Sequence, residues 1–283
     1  MIGFQCFLKK RSKTKNRLLI LLFALNSSFI FIACQSKKVD YLKAESIQLA
    51  SPSIRIDSAL FGTSAKVSLN LAEVGATLRF TLDGSLVDEN STQYIDPIEV
   101  TETGILKVRA YHPEFSKSDE QYVTFRQLKN DISMADVALL TDPHSSYPGR
   151  GSRTLIDGRK GGLNFRNGDY WLGFQDSVVV INLAVGKDLE YDKIVLSVLQ
   201  DQDSWIFSPS SVDVSSNGNS IGSIKLEESS KAGKKQLQYI EIPITSKNNQ
   251  QLTITIYPLK GIPDWHPGKG TLPWTFVDEI MVE

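Results

Sequence analysis

The sequence predicts an all-β protein made of two antiparallel sandwiches in series, and three observations carry that reading. Apolar and polar residues alternate in short runs, at 65–71 (AKVSLNL), 77–82 (TLRFTL) and 105–111 (ILKVRAY), which is the period of a half-buried strand. Turn residues such as Asp83-Gly84 and Ser216-Asn217-Gly218-Asn219 punctuate these runs. Between residues 54 and 127 no stretch of useful length carries the 3.6-residue apolar period of a surface helix.

The first 33 residues stand apart from that pattern. Lys9, Lys10, Arg11, Lys13, Lys15 and Arg17 precede an apolar stretch at 18–25, which resumes at 29–33 and ends at Cys34. This is the layout of an export signal, too short and interrupted for a membrane span. Residues 31–34 (FIAC) resemble a bacterial lipobox: Ala33 and Cys34 match, whereas Phe31 and Ile32 depart from the usual Leu and small residue. The resemblance implies a signal peptide at 1–33, a lipid on Cys34 and a tether at 34–51. The alternative is an uncleaved signal anchor. Two or three acyl chains on one cysteine hold a protein firmly on a membrane.

Only Cys6 and Cys34 are present, and Cys6 lies in the leader, so neither thiol catalysis nor a disulfide framework is expected of the processed chain. Removing the leader lowers Lys+Arg from 31 to 25 against 32 Asp+Glu, and 25 − 32 leaves a net charge of −7. A mildly acidic chain has no basic footprint for nucleic acid.

About 250 residues remain, enough for one large or two modest cores. The first unit is placed at 52–128, with runs at 65–71, 77–82, 105–111 and 121–125. Its segment 75–85 (GATLRFTLDGS), with Tyr94, Pro97-Ile98 and 106–111, resembles the immunoglobulin-like, Fn3-associated module at the C-terminus of chitobiases and β-hexosaminidases. Leu86-Val87-Asp88 and Asp96 depart from that pattern. The resemblance implies an accessory module without catalytic residues, so Asp83-Gly84 is read as a structural turn.

The second unit is placed at 129–283. Residues 132–140 read as a short strand or edge segment. Further runs lie at 178–183, 193–199, 211–215, 238–244, 252–257 and 276–282. About eight strands in about 140 residues suit a jelly roll. Before them comes 151–176, a stretch with six glycines and Tyr170-Trp171, a composition suited to a binding loop or to a framework loop whose Trp caps the core. Leu155–Gly158, Trp171–Gln175, Ser204–Pro209, Pro263–Gly268 and Trp274–Ile280 resemble the discoidin, or F5/8 type C, domain, in the form appended to Bacteroidetes β-hexosaminidases. This implies a discoidin-like, galactose-binding-like β-sandwich, a fold whose members differ in ligand.

Enzymatic chemistry is not expected. Asp278-Glu279 resembles the Asp-Glu pair of the hexosaminidase catalytic domain, but the βα alternation of that barrel is missing here. Neighbours on a strand also point to opposite faces, whereas glycoside hydrolysis needs two carboxylates flanking one bond. The pair therefore reads as structural or cation-binding. His112, His144 and His266 are far apart in sequence, with no Gly-x-Ser-x-Gly elbow and no His/Cys cluster for zinc. The discoidin resemblance implies a structural Ca²⁺, for which Asp157 and Glu279 are the matching positions. Arg159-Lys160 stands where a second acid is expected, which argues against a cation.

The aromatics point to sugar, since an indole face stacks on a pyranose while polar side chains bind its hydroxyls. All four tryptophans lie in the second unit. Trp171 and Trp274 flank apolar strand residues and are assigned to the core. Trp205 and Trp265-His266 are the candidate platform, with Asp201, Asp203, Arg166 and Asn167 as polar partners. The reading is a lipid-anchored, non-catalytic protein of the cell envelope, at the outer membrane, that binds a glycan or glycoconjugate. Its rival is a structural lipoprotein whose discoidin-like face docks a glycosidase or another envelope protein.

Overall fold

The computed structural model describes residues 47–227, 233, 235–245 and 249–283. The leader, Cys34 with its expected lipid, and the tether up to residue 46 lie outside the described residues. The described chain is built of strands, and its helical pieces are single 3-10 turns at Arg153–Leu155, Phe165–Asn167 and Gln202–Ser204. No described helix is long and apolar enough to cross a membrane.

Eight strands come first: β1 (Ser53–Ile56), β2 (Leu60–Phe61), β3 (Ala65–Asn70), β4 (Thr77–Thr81), β5 (Thr92–Gln93), β6 (Ile98–Val100), β7 (Gly104–Tyr111) and β8 (Gln121–Gln127). They make a three-stranded sheet, β1-β3-β6, and a five-stranded one, β2-β8-β7-β4-β5. Only the short β2–β8 pair is parallel. The alternation read in the sequence sets the register: Ala65, Val67 and Leu69 face in while Lys66 and Asn70 face out. They meet Phe61, Val100, Leu106, Val108 and Phe125 in one core. The Asp83-Gly84 turn is structural, with Gly84 at φ +76° and the Asp83 carboxylate accepting from the Ser85 N–H at 3.0 Å.

Ten strands follow: β9 (Asp136–Leu139), β10 (Gly149–Ser152), β11 (Leu172–Phe174), β12 (Val179–Ala184), β13 (Lys193–Gln200), β14 (Ser211–Ser216), β15 (Asn219–Lys225), β16 (Gln236–Pro243), β17 (Gln251–Tyr257) and β18 (Thr275–Val282). A five-stranded sheet, β15-β14-β17-β12-β9, faces a four-stranded one, β11-β18-β13-β16. The apolar rows of β12, β13, β14, β16, β17 and β18 interdigitate between them as the main core. The segment expected as an edge strand is β9, at the end of its sheet. β15 has no counterpart in the sequence reading. Its run NSIGSIK is broken by Gly222, where a Cβ would stand 2.3 Å from the Pro243 carbonyl oxygen, so close packing there excludes a side chain.

The first sandwich rests on the outer face of the four-stranded sheet. Leu60 and Leu128 pack on Val195, Met281 and Tyr239. Arg126 of β8 forms an ion pair with Glu283 just beyond β18 and another with Glu241 of β16. Contacts join residues Ile47–Glu283 into one compact unit.

Candidate functional site

The turn at one end of the second sandwich carries Trp205. β13 ends at Gln200, and the chain folds back through Gln202–Ser204, so that Asp201 and Ile206 exchange two backbone hydrogen bonds of 3.0 Å. Trp205 closes this turn at φ 63°, and its N–H donates to the Gln202 carbonyl at 2.8 Å. A bulky residue in the left-handed region costs on the order of 1–3 kcal/mol and persists only where the surroundings over-determine it. Here the backbone is clamped from the far side. Trp274 N–H donates to Trp205 O at 2.9 Å, and Phe207 N–H donates to Trp274 O at 3.0 Å. The result is a 41 % exposed indole on a rigid turn.

The loop 262–271 supports that indole. Gly268 passes beneath it so closely that a Cβ would lie 3.1 Å from two ring atoms. His266 stands edge-on to Trp205, Phe207 and Trp265, with centroids 6.3, 5.5 and 5.5 Å away. Gly268 N–H donates to His266 Nδ1 at 3.0 Å, so that nitrogen is an acceptor. The proton therefore sits on Nε2, which lies 3.0 Å from the Gln202 carbonyl and donates to it. His266 is 7 % exposed and both its nitrogens are committed to backbone. It joins the two loops as a strut, one ring nitrogen bound to Gln202 and the other to Gly268.

The polar partners divide. Asp203 is exposed on the Trp205 turn. Asp201 is buried, and its carboxylate pairs with Lys235 at 2.7 Å. The carboxylate thus faces a lysine and not solvent. Arg166 is exposed on the 3-10 turn Phe165–Asn167, its guanidinium 4.8 Å over the Phe165 ring. Lys235 lies 5.2 Å from the same ring and links this turn to Asp201. Asn167 follows on that turn, but its side chain lies outside the described residues. Trp265 is half-buried against Phe207.

The remaining tryptophans take the core places assigned to them. Trp171 is wholly buried and donates from Nε1 to Gly162 O at 3.2 Å. Trp274 is half-buried in an aromatic cluster with Tyr147, Phe276 and His144. The glycine-rich stretch is framework as well, since Leu155, Ile156, Leu172 and Phe174 are sealed in the main core.

Asp278 and Glu279 do not point to opposite faces. The β13–β18 register shifts beside them, Ser197 pairing with Glu279 and Val198 with Val277, so Asp278 is the extra residue of a bulge. Val277 and Ile280 both stay in the core, and the two acids between them turn outward to the loop 158–161. Asp278 accepts from Lys160 Nζ at 2.7 Å and Gly161 N–H at 2.6 Å. Burial pushes its carboxyl upward, against the pull of Lys160. Glu279 accepts from Gly158 N–H at 2.9 Å through Oε1, while its Oε2 is buried without a partner. Burial, reinforced by Asp278 and Asp157, pushes this carboxyl up to about 9.

Asp157 and Glu279 do meet near Gly158, but the donors present do not fit calcium. The Asp157 carboxylate is held by the Arg150 guanidinium and the Arg159 N–H. Among the described residues no three His, Cys, Asp or Glu side chains converge, and a calcium site takes six to eight oxygens.

Residues 57–124 match the family model of the chitobiase/beta-hexosaminidase C-terminal domain. No curated protein matches the chain. Among solved structures, the chain is similar to a SusE-like protein at 13 % identity and TM-score 0.32, over 81 % of this chain and 95 % of that one. It is also similar to an F5/8 type C domain of a Bacteroides fragilis protein at 16 % identity and TM-score 0.32, over 54 % and 93 %. A two-domain Bacteroides fragilis protein of unknown function aligns at 9 % identity and TM-score 0.30, over 85 % and 91 %. The resemblance read from residues 75–85 thus holds for the first sandwich, as a match to the chitobiase/beta-hexosaminidase C-terminal domain over residues 57–124.

Proposed function

We propose that this chain is a non-catalytic binding protein of the bacterial envelope, held by a lipid on Cys34, that takes carbohydrate at the Trp205 turn. One observation carries the reading: the exposed indole is held in a left-handed backbone by two hydrogen bonds of its own main chain and stands over Gly268. A rigid apolar face next to placed polar groups is what a pyranose needs, because its C–H face stacks and its hydroxyls hydrogen-bond. Asp203, two residues before Trp205 on the same turn, supplies an exposed polar group. The acid pair offers no rival chemistry, as Asp278 and Glu279 are buried and Asp278 is tied to Lys160.

The test is a glycan array followed by titration of the retained glycan into the full chain. Trp205→Ala should weaken binding at least tenfold with the melting temperature nearly unchanged. Equal affinity in the variant, or no glycan retained together with co-purification of an envelope protein, would sink the reading in favour of a docking role.

A further inference from the structure

The loop 158–161 and the strand β18 meet at two buried side chains of opposite charge. Lys160 Nζ lies 2.7 Å from Asp278 Oδ2 across 118 residues of chain, and the two side chains are 5 % and 0 % exposed. The Trp171 ring stands 5.0 Å from the ammonium and the Tyr239 ring 5.8 Å. Gly161 N–H donates to the same Oδ2 at 2.6 Å. The other carboxyl oxygen, Oδ1, is buried and has no partner. Glu279 beside it does not compete for the lysine, because burial pushes its carboxyl up to about 9 and it keeps its proton at neutral pH.

Taking two charges out of water is costly, and one oxygen of this carboxylate finds no donor. Passing one proton from Nζ to the carboxylate removes both charges, and burial favours that neutral form, as it pushes the Asp278 carboxyl upward. The product is an amine against a carboxylic acid whose Cγ is one bond beyond Oδ2. Holding two reactants in contact raises their effective concentration to roughly 10⁵–10⁸ M. The two rings keep off bulk water, which would reverse a condensation.

We infer that Lys160 and Asp278 close an amide cross-link between this loop and β18. Nζ attacks Cγ, the Nζ–Cγ bond forms and the Cγ–Oδ1 bond breaks. Of the three ammonium protons, two leave with Oδ1 as water and one stays on the amide nitrogen, so no oxidant, reductant or further reactant is needed. Oδ2 remains as the carbonyl oxygen, still held by the Gly161 N–H. The water leaves into a cavity of about 310 Å³ between the two sandwiches, which Lys160 and Gly161 line. The step occurs once per chain and turns over no substrate. Until it occurs, Lys160 and Asp278 are an ion pair and titrate as one. Afterwards β18 cannot leave its sheet without drawing the loop with it.

Trypsin digestion of the full chain under denaturing conditions, read by mass spectrometry, tests the cross-link. Cleavage after Arg159, Arg166 and Lys269, with the bridged Lys160 protected, should give residues 160–166 joined to residues 270–283. This branched peptide should be lighter than its two parts by one water, and its fragments should place the junction at Lys160 and Asp278. Lys160→Arg keeps the positive charge, lacks the amine, and should release 161–166 and 270–283 separately. If the parent chain also releases those two peptides separately at full mass, the inference is overturned. A parent chain that is one water lighter but still releases them apart, as an imide at Asp157-Gly158 would make it, overturns it equally.

Discussion

Arg126 and Glu283, 157 residues apart, meet in a two-pronged ion pair: Nε donates to Oε1 at 2.8 Å and one terminal nitrogen to Oε2 at 2.7 Å. The same nitrogen reaches Glu241 at 2.7 Å. Burial works against the Arg126 charge, but the hydrogen bonds from Glu283 and then Glu241 outweigh it and push its affinity for the proton upward. The pair fastens the last strand of the first sandwich to the outer face of the second. Removing one member of a buried pair strands the other, at about 3–5 kcal/mol. Glu283→Ala should lose stability of that order in urea denaturation, whereas Glu241→Ala, at a half-exposed position, should lose about 1 kcal/mol or less.

Glu279 predicts an unusual pH dependence. Its folded carboxyl is raised from 4.5 to about 9, so the native state keeps a proton that the unfolded chain releases. Below about 4.5 both states are protonated and the group contributes nothing. As pH rises from there toward 9, its contribution falls progressively. Glu279→Gln keeps the Gly158 hydrogen bond and removes the ionisation. It should match the parent at pH 4 and melt several degrees higher at pH 8, since about 1 kcal/mol moves a domain of this size by ~2–4 °C. A melting difference that does not change between the two pH values would refute the account.

Lys160 predicts the opposite sign. Its ammonium is nearly buried beside Asp278 and 5.0 Å from the Trp171 ring. In Lys160→Met, Asp278 must keep its proton to stay inside, so the loss should be small near pH 4 and grow to about 3–5 kcal/mol at neutral pH. Denaturation curves at the two pH values decide this.

The turn at Trp205 can be separated from its side chain. Trp205→Ala and Trp205→Gly both remove the indole, but only glycine relieves the left-handed backbone at φ 63°. The glycine variant should be more stable than the alanine variant by about 1 kcal/mol, with ligand binding lost equally in both. Equal stabilities would mean that the turn relaxes once the ring is gone.

What the sequence by itself determined is local. Alternation in β3, β4 and β7, the apolar runs of β12, β13 and β17, and the turns Asp83-Gly84 and Ser216–Asn219 are legible because a strand half in a core repeats every second residue, a strand buried on both faces is apolar throughout, and a tight turn demands particular residues. The same reasoning found Trp205 and Trp265 as loop aromatics and Trp171 as core. Only the tertiary structure decided how these side chains are used. His266 became a strut and Asp201 a counter-ion because loops distant in sequence brought them a carbonyl and a lysine. Asp278 and Glu279 came to one face because β13 pairs with β18 through a bulge, a property of two strands together. The glutamines at 200, 236 and 238 line one cavity because strand register, which no single segment encodes, sets β13 beside β16 at the open end of the sandwich, and Gln202 joins them from the turn that follows β13.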